Sequence, residues 1–310
     1  MAYLPRFTFA LLTLALLSGP ALAQDRSLGP RQLAAGVLTK VRDPNIDDAA
    51  LDETREFSEL LNFSKLPEWT PHFDPASETL LEKAKRVAFQ REIWSLEFSF
   101  KSLRVINVEG KDVWYLIYVV RNNGEVRRAT AADGKVEITG SQKPIRFVPT
   151  FILQSHDRRR AYRDRVLPEV LNRIAQKERP SGTLYDSASL GKIKIPVSTP
   201  TSDKSVWGVA TWDNVDPRSD YISVFVHGLT NAYRWNPPKA GYKPGDVKEQ
   251  DRVATKALQI NFWRGGDSVE LRDDEFHLGL PSYPDDPVRQ QEVLQTYKLE
   301  KPVRYRWVYR

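Results

Sequence analysis

The 310-residue sequence contains no cysteine. This excludes a disulfide framework, a thiolate metal site, a thiol nucleophile and a lipoprotein-type lipid anchor. Histidine is also scarce. The histidines are His72, His156, His227 and His277. None of them stands in an H-x-H or H-E-x-x-H pattern, so the spacing of a zinc site is absent.

Other metal and cofactor motifs are missing too. The acidic runs at 273–275 and 285–286 lack the alternating spacing of a calcium loop, and Asp285-Asp286-Pro287 is typical of a helix start or a turn. His156-Asp157 offers two ligand side chains, but we interpret it as a hydrogen-bonding pair at a strand end. The sequence therefore predicts no metal and no cofactor.

No stretch is apolar for long enough to span a membrane. The run from Phe7 to Leu17 has eleven residues, too few to cross about 30 Å of hydrocarbon. It follows the charged Arg6 and leads to Ala21-Leu22-Ala23, the small-x-small pattern of a signal-peptidase site. We therefore predict a signal peptide over 1–23 and a periplasmic or extracellular mature protein with no transmembrane segment.

The charge is mixed rather than strongly basic. The chain has 46 basic and 40 acidic residues, a formal net charge of +6. The densest basic run, "DRRRAYRDR" at 157–165, is interleaved with aspartates and is typical of a solvated helix start. These features do not form the basic patch of a nucleic-acid-binding protein, so we expect no nucleic-acid partner.

The sequence over 24–92 predicts an N-terminal arm that contains two helices. The polar, turn-rich segment 24–48 is expected to be irregular. Helical spacing of apolar residues follows Asp47-Asp48, and it appears again after Asp74-Pro75, where proline suits the first turn of a helix.

Alternating apolar residues over about 94–139 predict an antiparallel meander. The alternation slips by one position near Lys101-Ser102, and a β-bulge there would keep one face buried. Val113–Val120 is apolar on both faces, which indicates a central strand. Asn123-Gly124 and Asp133-Gly134 are typical of two-residue hairpin turns.

Further strands and one helix are predicted beyond this meander. The stretch 144–155 predicts a strand interrupted by Pro149. A helical pattern covers 163–178 and should start near Leu167, because Pro168 must lie in the first turn. Short strands separated by turns follow to the C terminus.

These elements predict a mainly-β fold. We expect an antiparallel β-sandwich, immunoglobulin-like or related, over 93–310, with 163–178 as an inserted helix and no later helix. The sandwich region forms either one unit or two subdomains divided near 179–182.

The stretch "ISVFVHGLT" at 222–230 looks at first like the oxyanion-hole loop of an α/β-hydrolase. Such an enzyme also needs a nucleophile elbow, usually G-x-S-x-G. The nearest later pattern, "GGDSV" at 265–269, lacks the closing glycine. We therefore interpret 222–226 as a sandwich strand whose turn begins at His227-Gly228.

Aromatic residues are densest over 29 positions. The tryptophan and tyrosine residues among them are Trp207, Trp212, Tyr221, Tyr233 and Trp235. Such a cluster either fills the core or forms a platform for sugar rings or a partner protein. For the platform we predict Tyr233, Trp235 and Trp212 as binding residues, because the first two follow a turn and precede a loop rich in proline and glycine.

Several stretches across the mature chain resemble a family of uncharacterised exported proteins associated mainly with planctomycete-type bacteria. They are "GVLT", "WSLEFSFKSLRVI", "VWYLIYVVRN", "VFVHGLTNAYRW", "LQINFWRGGD" and "YRWVYR". The resemblance implies export and one continuous family unit. It implies no activity, cofactor or binding residue.

Two functions remain open on these grounds. The first is a non-catalytic protein of the cell envelope that binds or scaffolds a polymer or a protein partner. The second is a secreted hydrolase acting on polysaccharide, because its paired carboxylates would need no local sequence spacing. Two carboxylates about 5–10 Å apart in an exposed groove would favour the hydrolase. A convex aromatic patch without titratable neighbours would favour binding.

The signal-peptide prediction is tested by intact-mass measurement on protein recovered from its native compartment. We expect a mature chain that begins at Gln24, since cleavage follows Ala23. A recovered chain that still carries Met1 would contradict the prediction.

Overall fold

The computed structural model describes residues 31–34, 36–42, 92–129, 136–235, 253–265 and 275–310. Strands make up 46% and helices 14% of these residues, which confirms the predicted mainly-β class. The predicted signal peptide and the two helices of the N-terminal arm lie outside the described residues.

The strands of the described part of the chain are β1 (Arg31–Gln32), β2 (Thr39–Lys40), β3 (Ile93–Trp94), β4 (Glu97–Phe100), β5 (Arg104–Val108), β6 (Lys111–Arg121), β7 (Glu125–Ala129), β8 (Val136–Gly140), β9 (Ile145–Arg146), β10 (Thr150–Ser155), β11 (Arg160–Arg163), β12 (Leu184–Asp186), β13 (Lys194–Ile195), β14 (Val206–Trp212), β15 (Tyr221–His227), β16 (Tyr233–Trp235), β17 (Val253–Arg264), β18 (Phe276–Leu278) and β19 (Tyr305–Tyr309). The helices are α1 (Pro168–Glu178), α2 (Ser187–Leu190) and α3 (Pro287–Tyr297).

Two large sheets pack face to face. The first sheet has the order β1-β18-β17-β15-β10-β11, and β16 and β19 also pair with β17. The second has the order β12-β14-β6-β4-β2, and β5 also pairs with β6. Of the strand pairs described, β12 with β14 is parallel and the others are antiparallel. The predicted antiparallel sandwich is confirmed.

The core lies between these two sheets and draws on both halves of the chain. Buried side chains of this core include Phe98, Phe100, Trp114, Leu116, Phe151, Trp212, Ile222, Val224, Leu258 and Phe262. Strands from either side of 179–182 pair with each other in both sheets, as β6 does with β14 and β10 with β15.

Residues 31–34 and 36–42 belong to the sandwich rather than to an irregular arm. β1 pairs with β18 in the first sheet and β2 pairs with β4 in the second. Leu33 and Val41 are buried in the main core. The burial of Leu33 and Val41 explains why this polar, turn-rich segment joins the sandwich, since removing apolar side chains from water is favourable.

β6 is buried on both faces, as its sequence predicted. The side chains of Trp114 and its alternate neighbours face the sandwich core. Those of Tyr115 and Ile117 face α1, where they pack with Val170 and Ile174. α1 starts at Pro168 with Leu167 as its N-cap, as expected from the position of the proline.

The predicted β-bulge separates β4 from β5. Phe100 is opposite Tyr118, and Arg104 is opposite Tyr115. Three residues on one strand, Lys101 to Leu103, therefore face two residues of β6. This extra residue restores the apolar alternation, as the slip in the sequence indicated.

The bulge also fixes the last turn of α1. Glu178 accepts hydrogen bonds from Lys101 Nζ at 2.8 Å, Arg104 Nη1 at 2.6 Å and Tyr115 Oη at 2.8 Å. Burial alone would raise the pKa of Glu178, but these donors and their charges outweigh it and hold the pKa below its usual value. The helix is thus tied to the second sheet by a buried carboxylate.

Asn123-Gly124 does not form the predicted hairpin, since β7 pairs with β3 and β8 rather than with β6. The buried Asn122 side chain donates to the carbonyl of Ile195 at 3.0 Å and accepts from Gly124 N–H at 2.9 Å, which turns the chain out of the second sheet. β7 and β8 pair antiparallel, with Ala129 opposite Val136, but the two-residue turn predicted at Asp133-Gly134 lies outside the described residues.

α3 contradicts the expectation that no helix follows 163–178. Asp286 caps it by accepting a hydrogen bond from Arg289 N–H at 3.0 Å. Its buried apolar side chains are confined to its C-terminal half, at Val293, Leu294 and Tyr297, so the sequence pattern was too short to indicate it. Within the described residues, no helix has the length and apolar character to span a membrane.

Replacing Ile117 by aspartate should unfold the domain or come close to it. Ile117 is 1% exposed, so Ile117→Asp would bury an unpaired carboxylate. The cost should be several kcal/mol, against a typical domain stability of about 5–15 kcal/mol. Chemical denaturation measures the change. Val148→Asp, at a position that is 60% exposed, is the control. Equal unfolding midpoints for the two variants would contradict the placement of β6.

Candidate functional site

The outer face of the first sheet, which points away from the core, carries polar side chains and several partly exposed rings. Directly opposed residues of antiparallel strands share a face, so the register assigns side chains to it. On this face Tyr221 of β15 is opposite Trp263 of β17, and Trp263 is opposite His277 of β18. We call these three residues the aromatic row.

The rings of the aromatic row are partly exposed and packed against neighbours. The ring centroids of Trp263 and His277 are 5.2 Å apart, with an interplanar angle of 39°. The Tyr221 ring meets the buried Tyr297 ring of α3 edge-on, at 5.8 Å and 89°. Burial raises the pKa of Tyr221, so its phenol keeps its proton. The row offers a rigid apolar surface with polar ring edges.

A cluster of charges lies at the end of the sheet next to this row. Asp157 follows β10, Asp220 precedes β15, Arg264 ends β17 and Glu275 precedes β18. Neighbouring strands run antiparallel, so the end of one lies beside the start of the next. The topology therefore gathers residues that are far apart in sequence. We call this group the charged end.

Arg264 is at the centre of the charged end and is fully buried. Its Nη2 lies 3.1 Å from Asp220 Oδ1 and its Nη1 lies 3.4 Å from Glu275 Oε2. Partial burial raises the pKa of Asp220 above its usual value, although Arg264 opposes the shift. Asp220, whose side chain is 40% exposed, therefore holds a proton more readily than an ordinary surface aspartate.

A buried polar network lies beside the aromatic row. His156 Nε2 is 2.8 Å from Ser223 Oγ, and Ser223 donates to Asn261 Oδ1 at 2.7 Å. Gln259 Nε2 also donates to Asn261 Oδ1, at 2.9 Å. Burial lowers the pKa of His156 to about 4 despite the nearby Asp157, so the imidazole is neutral at pH 7.

This network is not arranged as a serine–histidine catalytic pair. The Ser223 proton is directed to Asn261, so His156 must donate through Nε2 rather than accept. Ser223 is also fully buried, which denies a substrate access to its hydroxyl. His156 and Asp157 each hydrogen-bond to a different residue near the end of β10, His156 to Ser223 and Asp157 to Ser155, whose Oγ donates to it at 2.8 Å.

The structure separates the three predicted binding residues. Trp212 lies in the sandwich core with no exposed surface, so its inclusion in a surface platform is corrected. The Trp212 side chain lies on the inward face of β14, because alternate residues of a strand face the same way. Tyr233 lies in β16 opposite Thr255 and is half-buried. Trp235 lies in the same strand opposite Val253, and its side chain is outside the described set.

Sequence reasoning missed Trp263 and His277. Trp263 stands at an outward position of an alternating apolar strand, which was a usable signal. His277 could not have been found, since its place beside Trp263 depends on the register of β17 with β18. The turn after β15 begins at His227-Gly228 as interpreted, and Gly228 has a φ of +89°.

Among the residues that the structure describes, no three histidine, aspartate or glutamate side chains are grouped so as to hold a metal ion. No protein-family model matches the sequence, and neither a curated protein nor a solved structure shows significant similarity to it.

The buried neutral imidazole predicts a pH-dependent stability. The folded-state pKa of His156 is about 4, against about 6.5 in an unfolded chain. The folded state therefore resists protonation, and its stability is complete above about pH 6.5 and falls as the pH decreases towards 4. We expect the loss to reach about 3 kcal/mol, at about 1.4 kcal/mol per pKa unit.

Denaturant unfolding at several pH values measures this loss, and His156→Gln should flatten the dependence over the same interval. An imidazole titration of His156 by NMR with a midpoint near the ordinary value of about 6.5 would contradict the assignment.

Proposed function

We propose that the chain is a non-catalytic, exported protein of the cell envelope that binds a polysaccharide on the aromatic row. The observation that carries the proposal is the register Tyr221–Trp263–His277, which sets three half-exposed rings side by side on one sheet face. Rings held in this way present a large contact area at low entropic cost, which suits stacking of sugar rings.

Two further features support parts of this proposal. The signal-peptide pattern at 1–23 favours export, as does the resemblance to exported proteins. Tyr221 is backed by α3 through Tyr297, and the Tyr297 hydroxyl donates to the carbonyl of Phe262 at 2.6 Å. The row is therefore supported by α3 on one side and by the hydrogen-bonded strands of the sheet beneath it. Binding would require little rearrangement.

A secreted hydrolase is the alternative, and one observation favours it. The raised pKa of Asp220 is the property of a general acid, and Glu275 lies on the other side of the same Arg264. Both carboxylates are close to the row, because Asp220 precedes Tyr221 and Glu275 stands two residues before His277. The pairing of both with one buried guanidinium gives them a structural role, which is why binding is preferred.

The binding proposal is tested by co-sedimentation with insoluble peptidoglycan and cellulose. Trp263→Ala should weaken binding by about 1–3 kcal/mol, the range of hot-spot aromatics, and should leave the melting temperature nearly unchanged. Val288→Ala, at an exposed apolar position of α3, is the control. A separate Tyr233→Ala/Trp235→Ala variant tests the site predicted from sequence. Loss of binding in that variant alone would move the site to β16, and capture of a protein in place of polysaccharide would overturn the proposal.

Catalysis is tested on the same polysaccharides. We expect no release of reducing ends by the native chain. Release that Asp220→Asn abolishes, with unfolding unchanged, would establish the hydrolase instead.

A further inference from the structure

The outer face of the first sheet carries positive charge and no carboxylate along its strands. Its outward positions on β10, β11, β15, β17 and β19 are Thr150, Ile152, Gln154, Ala161, Arg163, Tyr221, Ser223, Phe225, His227, Thr255, Ala257, Gln259, Asn261, Trp263, Arg306 and Val308. None of these is aspartate or glutamate. The nearest acidic groups are Asp164, which acts on Arg163, Glu300, which acts on Arg306, and those of the charged end.

One register row crosses all five of these strands. Arg163 is opposite Ile152, Ile152 is opposite Phe225, Phe225 is opposite Gln259, and Gln259 is opposite Arg306. These pairings follow the ladders β11–β10–β15–β17–β19. Four gaps between strands, each about 4.8 Å, give the row a width of about 19 Å. We call it the arginine row, since a guanidinium stands at each end of an uncharged centre.

A third guanidinium covers the centre of this row. Arg310 Cζ lies 3.8 Å from the centroid of the Phe225 ring, and Arg310 Nη1 lies 3.5 Å from Gln154 Oε1. Arg306 donates through Nε to Gln259 Oε1 at 2.9 Å and through Nη2 to the carbonyl of Lys298 at 3.3 Å. All of these partners are neutral.

Arg163, Arg306 and Arg310 thus differ from the arginines of the charged end. Arg158, Arg218 and Arg264 each pair with an aspartate there. In the described part of the chain, no carboxylate forms an ion pair with any of the three arginines on the outer face. Burial lowers the pKa of Arg306 and of Arg310, which reflects the cost of desolvating a guanidinium, and the charge of Glu300 offsets only part of that cost at Arg306. An anionic ligand would offset that cost.

We infer that the arginine row binds the acidic groups of a polysaccharide, so that the polymer of the proposed function is a carboxylated one. The inference rests on the proposed function and adds that the ligand is negatively charged. Phe225 and Tyr221 stand four residues apart on β15, which places the two rows about 13 Å apart on one face. Two recognition elements at this separation suit an extended polymer better than a small anion.

Polygalacturonate and its methyl ester provide the test, because they share a backbone and differ in charge. Titration calorimetry with the mature chain at low salt should show binding to the acid at least about tenfold tighter than to the ester, and the difference should shrink as salt is added. Arg163→Gln/Arg310→Gln should remove the preference, and Arg163→Lys/Arg310→Lys should restore part of it.

The matched control is Arg160→Gln/Arg173→Gln, which removes the same charge. Arg160 lies on β11 opposite Ser155, facing away from the outer face, and Arg173 is exposed on α1. The control should keep the preference for the acid. Thermal unfolding checks that each variant is folded.

Each other outcome overturns the inference in a recognisable way. If the acid and the ester bind equally and Arg163→Gln/Arg310→Gln changes neither affinity, the proposed function still holds but the inference that the ligand is acidic is wrong. A preference that the control variant also loses shows general attraction rather than a site. Stronger binding to phosphatidylglycerol vesicles or to polyphosphate shows a different occupant. If neither polymer binds but peptidoglycan or cellulose does, the inference fails and the proposed function stands, whereas binding to none of these polysaccharides refutes both.

Discussion

The double burial of β6 is the constraint on which the rest of the structure depends. Its alternate side chains fill the space between the two sheets on one face and the space under α1 on the other. A strand buried on both faces requires a layer on each side, so it demands both the first sheet and the helix. The three-layer order of first sheet, second sheet and α1 follows from this one run of apolar residues.

Close packing around β6 also restricts its neighbours. Tyr118 lies directly across from Gly208, and a Cβ at Gly208 would be 2.3 Å from the Tyr118 ring. Glycine is needed there because the ring is enclosed by Phe98 and Phe151, at centroid distances of 5.4 and 4.7 Å. On the opposite face, the Glu178 cluster ties α1 to the bulge. A buried carboxylate of this kind specifies position more than it adds stability, since its desolvation offsets much of the attraction.

The proposed binding surface lies on the sheet that this constraint holds in place. The outer face of the first sheet carries a row of rings, a buried network around Ser223 and a row with arginine at both ends. The charged end lies beyond the rings and keeps its carboxylates paired with arginine. The rings and arginines of the proposed binding surface are thus separated along one face from the paired charges, and this separation is why we propose binding rather than catalysis.

The sequence by itself determined the features that depend on local patterns. Two-residue alternation, the slip near Lys101-Ser102, the apolar run at Val113–Val120 and the proline at 168 were sufficient for the strands, the bulge, the central strand and the start of α1. Each of these features follows from the steric and burial preferences of neighbouring residues, so a short stretch of sequence is enough to predict it.

Only the tertiary structure decided which strands meet and which residues share a face. It placed Trp212 in the core and Trp263 beside Tyr221 and His277, and it brought Arg163 and Arg306 into one row. These placements depend on strand order and register, which are set by pairings between segments that lie tens of residues apart in sequence, such as β10 with β15. The packing of the whole core selects those pairings, so no single stretch of the chain contains the information.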